Sequence, residues 1–458
     1  MLIPISRELV CILGLSFSFM LMFASNVTQN NMQKTIVSSI SDDNPDFHVE
    51  GYTVTGVSYS MFAVSLLFGP YLNQAIGPKL TMIISAFGYS SVAFPYIIES
   101  GWMIYGVAVI SGVAAGCVCP AEAQYMVENS SPQTTARNVG IFWTISTFSS
   151  LWGNLFVYYM FRGKLYIDQS TRRTVLSFLV GINILAIASF MALPKSSGDH
   201  TTEGYSPSKT VKKCWAILKS RKMHWLIFTF CYTGFQQAFG EGIYSPSIGF
   251  TLAFGNSAKE LVALSGIFMS IGAVIGGVCP VVFFKWIRRF RYARRSIVLV
   301  GCTGQLFAYL IAFLNLPDTA VFGNTDQLSL ITPSATLAMT GSLLIYFGDS
   351  CLNTQIYSII ADLYRESSAE AIAFYKFVKA LCVATSFYWC SHIGLHVQVA
   401  ILSAMALVGV FFFFVADNDN PAATNDIKKV TQVTETSQNK DSNFFSSTTN
   451  DCNMTVHL

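Results

Sequence analysis

The sequence predicts an all-helical integral membrane protein of twelve transmembrane spans, arranged as two sets of six. Three observations predict it. Of 458 residues, 52% are hydrophobic and only 12% charged, with mean hydropathy +0.48; soluble domains carry about 25% charged residues. Apolar runs of about 20 residues, the length that crosses a hydrocarbon core of about 30 Å, recur twelve times. A polar stretch, residues 194–223, separates the first six runs from the last six.

In order, the first set is expected at 8–25, 52–72, 80–98, 102–125, 138–161 and 174–193, and the second at 224–248, 261–284, 296–316, 335–357, 371–391 and 395–416. The first run has the length of a signal peptide. Glu8 breaks the basic flank such a peptide needs and no small-residue cleavage site follows, so it reads as a membrane helix. The domains are therefore 1–193 and 224–416, joined by a cytosolic loop, 194–223, and followed by a tail, 417–458. The tail is rich in Asn, Thr, Ser and Asp and is expected to be disordered. Orientation follows from Lys and Arg, which concentrate on cytosolic segments. With both termini in the cytosol, twenty of these residues lie inside, including six in "KWIRRFRYARR", and six outside. The cluster from Arg162 to Arg173 is the local exception.

Composition also excludes functions. A net charge of +3 is too small for a nucleic-acid binder. Cys117, Cys119, Cys279, Cys302, Cys351 and Cys382 lie in apolar runs, where cysteine behaves as a small hydrophobe. No zinc spacing, phosphate-binding loop or catalytic triad occurs, so neither an enzyme, a metal site nor a cofactor is expected.

Two sets of six helices around a cytosolic loop are the layout of major facilitator transporters, whose halves are related repeats with a site at the midplane. Between spans two and three, "GPYLNQAIGPKL" approximates the facilitator loop signature, with Asn73 at the acidic position. More specific stretches are "RNVGIFWTISTFSSLWGNLFVYYMF" (137–161), "LSGIFMSIGAVIGG" (264–277), "GDSCLNTQ" (348–355) and "FYKFV" (374–378). On these the chain resembles the uncoordinated-93-like family of the major facilitator superfamily, most closely its orphan facilitator-domain-containing branch, from about residue 7 to 415. It departs late in span four. Where the family carries Trp-Thr-Ala-Gln-Gly, this chain reads "CPAEAQY" (119–125), with Glu122 at the Gln position. The resemblance implies a multipass protein of facilitator fold in the plasma or endolysosomal membrane. It leaves three roles open: a transporter of a small solute or ion, a regulatory subunit of a potassium channel, and a trafficking escort for a membrane receptor.

An ionisable group at the bilayer centre costs a few kcal/mol and normally faces a bundle interior or water. Glu122, Glu241, Asp349, Lys376 and Lys379 fall within spans. At 1.5 Å per residue, Asp349 and Lys379 both lie about 12 Å from the cytosolic helix ends, and Lys376 about a turn shallower. Tyr346, Asp349 and Asn353 share a helix face, with Gln355 close by, as do Lys376 and Lys379. An ion pair between spans ten and eleven, a substrate site and a solvated arrangement are the alternatives. Glu241, between Gly240 and Gly242 and ahead of Pro246, has the setting of a gate or ion site. Trp152 and Asn154 on span five are candidates for cavity lining or core.

The pairs Gly112/Gly116 and Gly272/Gly276 predict close helix contacts. Of three sequons, Asn129 and Asn453 fall on cytosolic segments. Asn26, near the expected outer end of span one, is a weak glycosylation candidate. The C-terminal "TVHL" has the form of a PDZ-domain ligand.

Overall fold

A computed structural model describes residues 7–131, 133–195, 217–287 and 293–418. The tail from 419, with Asn453 and the C-terminal motif, most of the central loop, and the middle of the basic segment before the ninth expected span lie outside the described residues. What is described is helical, apart from one isolated bridge between Thr251 and Thr325.

Helix α1, Arg7–Asp43, is 37 residues long and runs 18 residues beyond the expected end of span one. The hydropathy ruler stopped where side chains turn polar. Those side chains, among them Thr28, Gln29, Gln33 and Thr35, are nevertheless buried against neighbouring helices, so the helix continues until Pro45 approaches. Glu50 then caps α2 (Gly51–Ser65), its carboxylate accepting from Thr53 N at 2.7 Å. After α2 the chain bends by 63° into α3 (Gly69–Ile76). Gly77, at φ +82°, makes the turn before Pro78 opens α4 (Pro78–Ser90), with α5 (Phe94–Ile98) beyond a 3-10 turn. Helices α6 (Gly101–Glu128), α7 (Thr135–Phe161) and α8 (Gln169–Ala192) follow. Asp168 caps α8, and the Lys164 ammonium with the Ser170 and Thr171 donors holds its carboxyl well below the usual range.

Past the central loop, α9 (Arg221–Ala238) passes into a π-helical segment, Phe239–Tyr244, and then α10 (Ser245–Phe250). Five long helices complete the described residues: α11 (Ala258–Ile287), α12 (Ala293–Asn315), α13 (Ala335–Leu363), α14 (Ser368–Cys390) and α15 (Leu395–Asn418). Among the described residues nine helices are long and apolar enough to cross a membrane, ten if the bent pair α2–α3 forms one span.

Within residues 7–195, α1 packs on α7 and α8, α6 on α2 and α4, and α4 on α8. Within 217–418, α9 packs on α14 and α15, α13 on α11 and α12, and α12 on α15. The two sets meet where α7 crosses α11, α2 crosses α14, and α1 runs beside α10 and the π segment. The glycine pairs sit at close crossings, as their spacing predicts. A Cβ on Gly112 would lie 2.2 Å from Ser58 O of α2, and one on Gly272 would lie 2.1 Å from Leu343 O of α13.

A central cavity between the two sets of helices

A cavity of about 490 Å³ lies between the sets. Its wall is drawn from α1, α2, α4, α6 and α7 on one side, and from α9, the π segment, α11, α13 and α14 on the other. The long polar continuation of α1 supplies much of it. Asn26, Asn30 and Gln33 recur at helical spacing and all line the cavity. Gln33 Nε2 donates to Gly51 O at 3.1 Å and Thr55 Oγ1 at 3.0 Å. Asn31 Nδ2 donates to Asn154 Oδ1 of α7 and to Val262 O of α11, both at 3.0 Å. Gly266 of α11 makes room for this node, since a Cβ there would meet the Asn154 amide at 2.5 Å.

The placement of α7 follows from helical geometry. At 100° per residue, Trp143 and Asn154 share a face, and both line the cavity. Trp152 is half a turn away from Trp143. It is 60% exposed, is not among the lining residues, and lies on the outer surface of the helix, in neither of the two places expected for it.

Glu241 projects from the π-helical segment into the cavity and bridges the two sets. Tyr59 of α2 donates from OH to Glu241 Oε2 at 2.5 Å, and Gln237 Nε2 donates to Oε1 at 2.7 Å. Gln237 Nε2 also reaches Tyr59 OH at 3.3 Å. On either side of the carboxylate, Gly240 lies against Tyr346 and Gly242 against Phe387, which stacks on both Tyr52 and Tyr59. Here the half-buried Glu241 carboxylate stands between two glycines of a π-helical turn, an irregularity that is frequent at functional sites.

Glu122 and Lys376 line the opposite reach of the cavity, with Cys119 one turn before Glu122. Asp349, Asn353, Gln355 and Lys379 do not line it. The expected contact between spans ten and eleven is present but indirect. No ion pair joins Asp349 to Lys379 within 4 Å among the described residues. Instead Asn353, one turn along α13, receives Lys379 Nζ at 3.3 Å and the Tyr375 hydroxyl on its Oδ1, and donates to Asp349 O at 2.9 Å. Gln355 is buried and donates to Thr354 Oγ1 at 3.2 Å.

Asn26 is also placed differently from expectation. It is 5% exposed in the middle of α1, its Nδ2 donates to Met22 O at 2.8 Å, and it lines the cavity. In the folded protein it is therefore not a surface sequon.

Two groups carried no individual sequence signal. Tyr59 was one aromatic among many. Arg172 read as a topology exception, but it is fully buried and pairs with Asp43 at 2.9 Å and Glu99 at 2.8 Å. The amide run "NVTQNNMQ" could have been found, because its Asn and Gln spacing continues the helical period of α1.

Hydrogen bonds between the sets gather toward the end of the bundle remote from both chain ends. Besides the contacts of Tyr59 with Glu241 and Gln237, these are Asn31 to Val262, Tyr52 OH to Val321 O at 3.1 Å, Ser60 with Tyr388 at 3.2 Å, and Gly163 N to Glu260 at 3.1 Å.

A bundle of apolar helices in two sets around a cavity that carries a few polar and ionisable groups is a membrane-protein fold consistent with the major facilitator type. A solved nucleoside transporter, NupG, shares the fold at TM-score 0.64 and 12% identity, over 89% of this chain and 98% of that one. The chain belongs to the family described as ion channel regulatory protein UNC-93, whose profile matches residues 46–414. The UNC93-like protein MFSD11 of Xenopus laevis is 32% identical over 434 residues, covering 90% of this chain and 96% of that protein. The putative potassium channel regulatory protein unc-93 of Caenorhabditis elegans is 23% identical over 464 residues, 88% of this chain and 60% of that protein.

Proposed function

We propose that this protein is a transporter of a small solute or ion that works by alternating access, built from twelve spans as a 6+6 pseudo-repeat with both termini in the cytosol. The observation that carries the reading is the cavity of about 490 Å³ between the two sets, with ionisable residues on its wall. That volume is in the range of pockets that hold small molecules. The recurrence of packing supports the repeat. If α1 to α8 and α9 to α15 are counted as six spans each, the pairs one–five, one–six, two–four, three–four and three–six in the first set return in the same order in the second. The crossings of α7 with α11 and of α2 with α14 are then the same contact exchanged between halves. Polar contacts between the halves gather at the remote end, which gives the geometry of a state closed there and accessible from the end carrying the termini.

A second reading is favoured by the family itself: a non-transporting regulatory subunit of a potassium channel, or an escort for a membrane partner. Such a role needs no second opening of the cavity. Thiol labelling separates the two. Thr55 lies on the cavity wall toward the remote end, and Cys119 toward the other. An impermeant maleimide should label Thr55→Cys and Cys119 from the cytosolic face of inverted vesicles, and Thr55→Cys also, more slowly, from outside intact cells. Labelling of Thr55→Cys from one face only, with a stoichiometric channel or receptor subunit in mild-detergent purifications, would replace transport with the accessory role.

A further inference from the structure

Glu122 and Lys376 carry opposite charges on opposite walls of the cavity, Glu122 from α6 and Lys376 from α14. Counted along their helices, both sit at a similar depth, about 9 and 12 Å from the ends nearer the termini. Neither has a hydrogen-bond or ion-pair partner among the described residues. Three other charged groups of the interior are partnered. Arg172 has two carboxylates, Lys379 has Asn353, and both oxygens of Glu241 are occupied by Tyr59 and Gln237. A charge held in low dielectric without a partner is costly, and proteins retain such groups where something else completes them.

We propose that Glu122 and Lys376 form the two poles of a binding site for a zwitterion. Its ammonium meets Glu122, its carboxylate meets Lys376, and an apolar or aromatic body lies along Phe62, Tyr89 and Trp143. These three line the same cavity. A singly charged ligand leaves one pole unmatched, whereas a zwitterion neutralises both and ties the two sets of helices together through itself. Because the poles stand on different sets, ligand occupancy and the approach of the two walls are one event. The inference deepens the transport reading and rests on it for the assignment of the cavity as a solute site.

The test uses full-length protein in detergent with L-phenylalanine, β-alanine and glycyl-phenylalanine as probes. Phenethylamine and 3-phenylpropionate serve as the analogues bearing one charge only. At least one zwitterion should raise the melting temperature by about 2 °C or more at saturating concentration, and both analogues should fall short of it. Glu122→Gln and Lys376→Gln should each abolish that rise. In native membranes, where no variant has to fold, the effective zwitterion should slow maleimide labelling of Cys119 at least threefold, and the analogues should not. Absence of any zwitterion effect in both assays, equal effects from a singly charged analogue, or a response retained in folded variants would each overturn the proposal. Zwitterion binding with one-sided labelling of Thr55→Cys would remove transport and leave this site standing. Two-sided labelling without zwitterion binding would do the reverse.

Discussion

Among the contacts that join the two sets toward the remote end, the Tyr59 hydroxyl makes the hydrogen bond to Glu241. A hydrogen bond to a charged group contributes about 1.5–3 kcal/mol, so Tyr59→Phe should shift the balance toward a remote-open state by roughly tenfold or more. The observable is the rate of external labelling of Thr55→Cys, which should rise in Tyr59→Phe; an unchanged rate would show that this contact does not help to hold that end. The buried cluster on α13 and α14 invites the opposite kind of test. Asp349 Oδ1 has no hydrogen-bond donor, while Lys379 is held by Asn353 and lies over the Tyr375 ring at 5.9 Å. Lys379→Ala leaves the Asp349 carboxylate buried with no cation beside it, a loss of about 3–5 kcal/mol. Asp349→Asn keeps the shape and removes the charge. It should therefore lie close to wild type in melting temperature, and it should rescue much of the Lys379→Ala loss in the double variant. Additive losses would show that the two charges do not sense each other.

At the level of elements, the sequence was informative wherever apolar length or small-residue spacing decided the outcome. Each expected span lies, to within a residue at its ends, inside a described helix or a run of consecutive helices, and both glycine pairs mark crossings of near-contact distance. The same reasoning missed the continuation of α1, because counting apolar residues treats a buried polar wall as a loop. It also had no means to see the π segment, whose extra residue is a product of packing around Gly240 and Gly242 rather than of local propensity. Site residues divided along the same line. Glu122, Glu241, Asn154 and Lys376 line the cavity, while Asp349, Asn353, Gln355, Lys379 and Trp152 do not, because the helix face turned inward depends on how helices pair. The crossings themselves are testable. Gly272→Ala would place its Cβ 2.1 Å from Leu343 O and should cost about 1–3 kcal/mol. Gly277→Ala, five residues on, has nothing within 4 Å and should be neutral or slightly stabilising. Equal melting temperatures for the two would mean that α11 and α13 do not approach as closely as described.

At the scale of the whole molecule, which basic residues are tied up in ion pairs of the fold bears on which end of the bundle faces the cytosol. Of the basic residues at the remote end, Lys34 pairs with Glu50, Lys164 with Asp168, and Arg172 with Asp43 and Glu99. They are engaged in the fold itself, and the apparent exception near Arg172 loses its weight. Under the positive-inside rule, the basic excess the sequence places on the other end then supports the proposed orientation, with the remote end outside or in the lumen. Asn129 and Asn453 would be cytosolic and Asn26 is buried, so the native chain should show no mobility change on glycosidase treatment. A sequon placed where the machinery can reach should be used. Leu328 and Leu330 are 87% and 60% exposed in the segment between α12 and α13. With Ser329 between them, Leu328→Asn with Leu330→Thr creates an acceptor at the remote end. The double variant should gain a glycosidase-sensitive band, and an epitope after Asn420 should stain only in permeabilised cells. An unmodified double variant, together with tail staining on intact cells, would invert the protein in its membrane and turn the proposed cytosolic opening of the cavity outward.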